Sequence, residues 1–169
     1  MVQVRANLLD SEMALAVTSA LFSFDVPGPP VGKKRHKNGQ AFGGGMIHYT
    51  DQKTVNYEGM VKWVAKQAGV RMLEGPLWMH ITAFAPLPKS ASKALRELTA
   101  RGNAYFTTKP DWDNVGKIIG DALNGVAWRD DSQVADGRVI KRYTLDNPRV
   151  VVSIGVLDGD VAPCHTARP

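Results

Sequence analysis

At 169 residues the chain has room for one domain of common size with a buried core. With 44% apolar and 22% charged residues it falls outside disordered and collagen-like compositions. The single cysteine, Cys164, excludes an internal disulfide, and the four histidines (His36, His48, His80, His165) are too scattered to build a zinc site with it. The net charge of +5 is unevenly divided. Between Lys109 and Asp136 six acids face three bases, a net of −3, so the remainder carries +8. An acidic island in a basic surround suits a site that holds a cation while it attracts a polyanion.

Residues 1–20 read as a helical extension or as a poorly ordered leader, and both readings stay open. Met13 to Phe24 (MALAVTSALFSF) is too short to span a membrane, and Arg5 upstream is opposed by Asp10 and Glu12. No signal peptide or anchor is expected, and a cytoplasmic setting is the default. LFSFDV predicts a strand with Phe22, Phe24 and Val26 on one side. PGPP then forces an extended turn. The basic, glycine-rich VGKKRHKNGQAFGGG reads as a mobile loop, either in contact with phosphates or merely solvated.

Thr50 or Asp51 caps a helix over residues 52–68, with Tyr57, Met60, Val61, Val64 and Ala68 on one face and Gly69 at the stop. LWMHITAFAPLP is a strand ended by prolines, and SASKALRELTARG is a short helix with serine caps, Leu95 and Leu98 on one side and Gly102 at its end. QVADGRVIKRYTL and RVVVSIGVL are two late strands, the second apolar enough to be central. Together these elements predict an α+β fold: one domain over 21–157, a mixed β-sheet with about three helices packed on it, and a polar tail at 158–169. No glycine-rich nucleotide fingerprint follows a strand.

The island itself is KPDWDNVGKIIGDALNGVAWRDDSQ. Pro110 keeps Lys109 out of the helix, so Asp111 and Asp113 are expected on one side of an extended segment. Asp113 then caps a helix from Asn114 to Asn124, whose apolar face is Val115, Ile118, Ile119, Ala122 and Leu123. Lys117 and Asp121 fall on the opposite side, and of the neighbours Asp130 and Asp131 only one is expected to join a site. Two ionised carboxylates about 4 Å apart repel by roughly 4 kcal/mol at an effective dielectric near 20. A hard divalent ion between them removes that penalty, and oxygen-only ligands favour magnesium or manganese. Each part also has a plainer reading: Asp113 a helix cap, Asp121 a partner of Lys117, Asp130 and Asp131 a turn. A calcium EF-hand fails, because Val115 and Ala122 stand where that loop needs an oxygen ligand and a bidentate glutamate.

DWDNVGK, DALNG and DDSQVADGRVIKR, in this order, resemble the RusA-type Holliday-junction resolvases, closely over Lys109 to Arg142 and more loosely at DVPGPPVGKKR. The resemblance implies a homodimeric, Mg2+-dependent endonuclease (Mn2+ a possible substitute) that nicks two strands of branched, four-way DNA symmetrically. It assigns metal-binding catalytic carboxylates to Asp111, Asp113 and Asp131 and the essential basic residue to Lys117. Asp121 and Asp130 match as supporting residues. Lys33, Lys34, Arg35, Lys37 and Lys109 are candidate DNA contacts, reaching backbone phosphates that carry little base information. The chain departs from the family pattern in a longer N-terminus, in the loop Lys33 to Gly45, and at Trp112, where an aliphatic residue is usual. Trp112 is expected to point away from the carboxylates into the core. Two other readings remain: a nuclease of this fold acting on other branched DNA, and a non-catalytic basic protein that binds nucleic acid.

Overall fold

The computed structural model describes residues 21–34, 37–40, 46–49 and 51–157, with 37–40 and 46–49 as backbone alone. The expected N-terminal extension, the polar tail, Arg35 and Thr50 lie outside the described residues.

Strand β1 (Phe22–Pro27) opens the fold. After the proline turn, the stretch expected to be a loop contains a short strand, β2 (Lys37–Gln40), and a second, β3 (Met46–Tyr49), follows directly after that stretch. They pair antiparallel, Lys37 opposite Tyr49 and Gln40 opposite Met46. Glycine and basic residues mask this ribbon in the sequence, because backbone pairing between two short segments needs no apolar alternation.

Helix α1 (Gln52–Gln67) is capped by Asp51, whose carboxylate accepts the Lys53 N–H at 3.0 Å. Its inner face is Thr54, Tyr57, Val61 and Ala65; Ala68 is its C-cap and exposed. Strand β4 (Leu77–Pro86) follows, then α2 (Lys93–Ala100), capped by Ser92, which accepts from the Leu95 N–H. Thr99 is the buried residue of α2 and Leu98 stays largely exposed.

Helix α3 (Trp112–Leu123), a single 3-10 turn (Asp131–Gln133), β5 (Val134–Thr144) and β6 (Arg149–Val156) complete the order. Strands β1, β6, β4 and β5 form one mixed sheet in that order. The β1/β6 and β6/β4 pairs are antiparallel and the β4/β5 pair is parallel. A parallel neighbour requires a long crossover, and this one carries α2 and α3.

Alternate strand residues build the core face: Phe24 and Val26, Met79, Ile81 and Ala83, Val150, Val152 and Ile154, all buried. Against them pack Tyr57, Val61 and Ala65 of α1 and Val115, Ile118, Ile119, Ala122 and Leu123 of α3, with Trp128 fully enclosed. The fold is α+β, and β6 is interior to its sheet, as its valines indicate. Among the described residues no helix is long and apolar enough to cross a membrane.

Candidate active site

Helix α3 starts two residues earlier than its sequence suggests. Asp111 holds the N-cap position in an extended conformation (φ −67°, ψ 150°) but makes no side-chain cap hydrogen bond, and Asp113 already lies in the first turn. The spacing of Asp111 and Asp113 is therefore that of a helix start and not of a strand. The two carboxylates line different clefts on the two flanks of the helix.

At about 100° per residue, Trp112, Asp113, Gly116, Lys117 and Gly120 share one flank of α3. That flank faces the start of β5 across an open cleft of about 440 Å³, whose other lining residues include Asp131, Gly137 and Arg138. Glycines let the helix come this close. A Cβ at Gly116 would stand 3.3 Å from a Val139 methyl, and one at Gly120 would stand 3.8 Å from Asp131 Oδ2. Asp113, Lys117 and Asp131 are thus brought to one cleft, and all three side chains are exposed.

Trp112 differs from expectation: it is 64% exposed and lines this cleft rather than the core. The cause is its place as the first helical residue. Helical Cα–Cβ bonds tilt toward the N-terminus, so a first-turn side chain projects beyond the part of the helix that packs on the sheet.

The neighbours Asp130 and Asp131 separate, through a 3-10 turn rather than strand alternation. Asp130 caps the turn, accepting the Ser132 N–H at 2.9 Å. Hydrogen bonding from Ser132 holds its carboxyl below the usual carboxylate range. Asp131 is left to face the cleft. Gln133 secures the turn from behind, accepting the Arg129 N–H at 2.9 Å and donating to the carbonyls of Leu73 and Gly75 at 3.4 and 3.3 Å. This clamp is a residue that sequence reasoning missed. Its one signal is the glutamine two places after the paired aspartates.

The second cleft, also about 440 Å³, is basic: Lys33, Lys34, Lys53 and Lys109 line it together with Asp111 and Asn114. Lys53 was not singled out by the sequence, because its helix pattern marks only a solvated position. Lys34 is half-exposed and 3.0 Å from Asp51. Lys33 is turned inward. Its ammonium bridges Glu58 of α1 and Asp121 of α3, the latter at 2.8 Å. Burial opposes the charge on Lys33, but hydrogen bonds and charge from Asp121 and Glu58 outweigh it and raise the pKa above the ordinary lysine value. Asp121 therefore pairs with Lys33 rather than with Lys117. Lys37 lies on β2, with its side chain outside the described part.

Among the described residues, no group of three Asp, Glu, His or Cys side chains stands close enough to cage an ion. What the cleft offers is a pair of hard carboxylate donors, Asp113 and Asp131, open to solvent. This fits magnesium, which is commonly held by one or two carboxylates and completes its shell with water and substrate phosphate. A closed cage of soft ligands would not fit it.

A family model described as endodeoxyribonuclease RusA matches residues 27–155, more than half of the chain. The chain belongs to the RusA endodeoxyribonuclease family. A relative in Bacillus subtilis (strain 168), "Uncharacterized protein YqaN", is 38% identical over 135 residues, covering 78% of this chain and 93% of its own. The RusA match includes all of β4, α3, the 3-10 turn and β5, and hence both walls of the carboxylate cleft.

Proposed function

We propose that the protein is a magnesium-dependent endonuclease that resolves four-way DNA junctions by paired symmetric nicks. The observation that carries the reading is the meeting of Asp113, Lys117 and Asp131 in one cleft of a RusA-family chain. Asp113 and Asp131 would hold the ion from opposite walls. Asp111, the third carboxylate of the family pattern, has no cap hydrogen bond to restrain it and stands at the border with the basic cleft. A bound divalent ion supplies a nucleophilic water at neutral pH and draws charge from the phosphate. Lys117, one turn beyond Asp113, places an ammonium where negative charge grows on the phosphorus oxygens during attack. In-line attack on phosphorus breaks its bond to the 3′ oxygen and leaves a 5′-phosphate and a 3′-hydroxyl.

Lys34, Lys53 and Lys109 line the basic cleft beside Asp111 and suit the backbone of a DNA arm, to which they would contribute affinity but little base preference. Residues 21–157 form the endonuclease domain in this reading. Two copies related by a two-fold axis would match the approximate symmetry of the junction and set one cleft at each cut strand. A DNA substrate and a lone cysteine agree with a cytoplasmic protein.

The test is a panel of four-way junctions, flaps and plain duplex, incubated with magnesium and with wild type or Asp113→Asn. Wild type is expected to nick the junction in symmetric pairs and to spare the duplex, whereas Asp113→Asn binds the junction without cutting it. Nicking by Asp113→Asn at the wild-type rate would remove the catalytic assignment. Wild-type cutting of flaps alone would transfer the reading to another branched substrate.

A further inference from the structure

The carboxylate cleft has an apolar side that hydrolysis does not require. Trp112 stands at its edge, 64% exposed, and Met79, Val134 and Val139 contribute to its lining beside the glycines 116, 120 and 137. Arg138 lies on the strand side, its guanidinium held by Asp136 through two hydrogen bonds of 3.1 and 3.2 Å. The lining thus combines a flat aromatic ring, side-chain-free glycine positions and a pair of carboxylates. Its volume of about 440 Å³ falls in the range of small-molecule sites.

A solvated indole beside a pair of carboxylates suits an occupant that is flat, apolar on its faces and linked to phosphate. Fully paired DNA does not present such a group, because its base faces are covered by their neighbours. An unpaired nucleotide presents one, and every base has a face on which an aromatic side chain can stack. We propose that Trp112 is a stacking platform for a nucleotide left unpaired next to the scissile phosphate, and so a positioning residue that favours branch points over continuous duplex. This proposal rests on the carboxylate cleft being the cutting site. It adds what the cleft recognises beside the phosphate. The placement supports it: Trp112 lines the same cleft as Asp113 and Asp131, so a base on the indole would keep its own phosphate beside the carboxylates.

The experiment uses the full chain in metal-free buffer with a short oligothymidylate, comparing wild type, Trp112→Leu and Trp112→Phe. Since stacking on one aromatic ring is commonly worth about tenfold in affinity or more, Trp112→Leu should bind roughly tenfold more weakly. Trp112→Phe should recover most of the loss, and the oligonucleotide should quench wild-type indole emission but leave the Leu variant nearly unchanged. Equal affinity across the three proteins overturns the proposal, as does a loss in the Leu variant that phenylalanine does not restore. Unchanged affinity with a fall from dimer to monomer in light scattering also overturns it, in favour of Trp112 as a contact between copies. Junction cleavage by wild type with magnesium is measured in parallel. If the junction is cut while affinities are equal, the platform alone is lost. If the junction is not cut while Trp112→Leu binds weakly, base stacking on Trp112 stands, but the resolvase reading and the place of that base beside a scissile phosphate are lost.

Discussion

Lys33 shows how one side chain can be committed to structure inside a basic cleft. Its ammonium joins Glu58 to Asp121, and its backbone N–H donates to the Asn114 carbonyl at 2.8 Å, so one residue ties the proline-exit segment to both α1 and α3. Removing the cation would leave two carboxylates facing one another in partial burial. Lys33→Met should therefore lower stability by about 1–3 kcal/mol, measured by urea denaturation. The sign of the pH effect follows from a raised folded-state pKa. The contribution is complete below the ordinary lysine value of 10.5 and is lost as pH rises through the higher folded-state value. The gap between wild type and Lys33→Met should be constant through neutral pH and close in the alkaline range. Removing all three charges with Lys33→Met, Glu58→Gln and Asp121→Asn together should recover part of the loss.

Among the elements, the segment 31–34 and the start of α3 are closely fitted. A Cβ on Gly32 would stand 2.8 Å from the Pro110 Cβ and 3.1 Å from the Asn114 Cβ. Neither atom is the end of a flexible side chain, so Gly32→Ala must lift the segment away from the helix. The expected cost is about 1–3 kcal/mol in a urea midpoint, with weaker junction binding because the basic cleft opens at the same point. The same joint explains why the site was only partly legible. The heptapeptide DWDNVGK announces acids, a helix and a lysine at the right intervals. It does not announce that the helix begins at Trp112, which turns Asp111 toward the lysines and Asp113 toward β5. Helix starts are set by which backbone N–H groups find partners, and here neither aspartate makes a side-chain cap bond to mark the boundary.

For the whole molecule, the division of charge is carried over in part to the surface. Lys34, Lys53 and Lys109 line one flank of α3, while Asp113 and Asp131 line the other. Binding to junction DNA should weaken steeply with salt, and Lys53→Ala and Lys109→Ala should each reduce the slope of log affinity against log salt by about 1. Lys33→Met should leave that slope unchanged, since its ammonium is already neutralised by two acids. Filter binding or anisotropy between about 50 and 200 mM salt checks both statements.

The sequence by itself determined the α+β class, the principal strands and the three helices, because alternation and 3.6-residue periodicity are properties of a local segment that burial converts directly into structure. It also determined the family, through an ordered run of residues across the crossover and β5. Only the tertiary structure decided the use of individual side chains: Asp121 drawn to Lys33, Asp130 retained as a cap while Asp131 faces the cleft, and Trp112 left in solvent. Those outcomes depend on which distant segment lies opposite each residue. Segments far apart in the chain meet through packing of the whole core, and no local pattern carries that information.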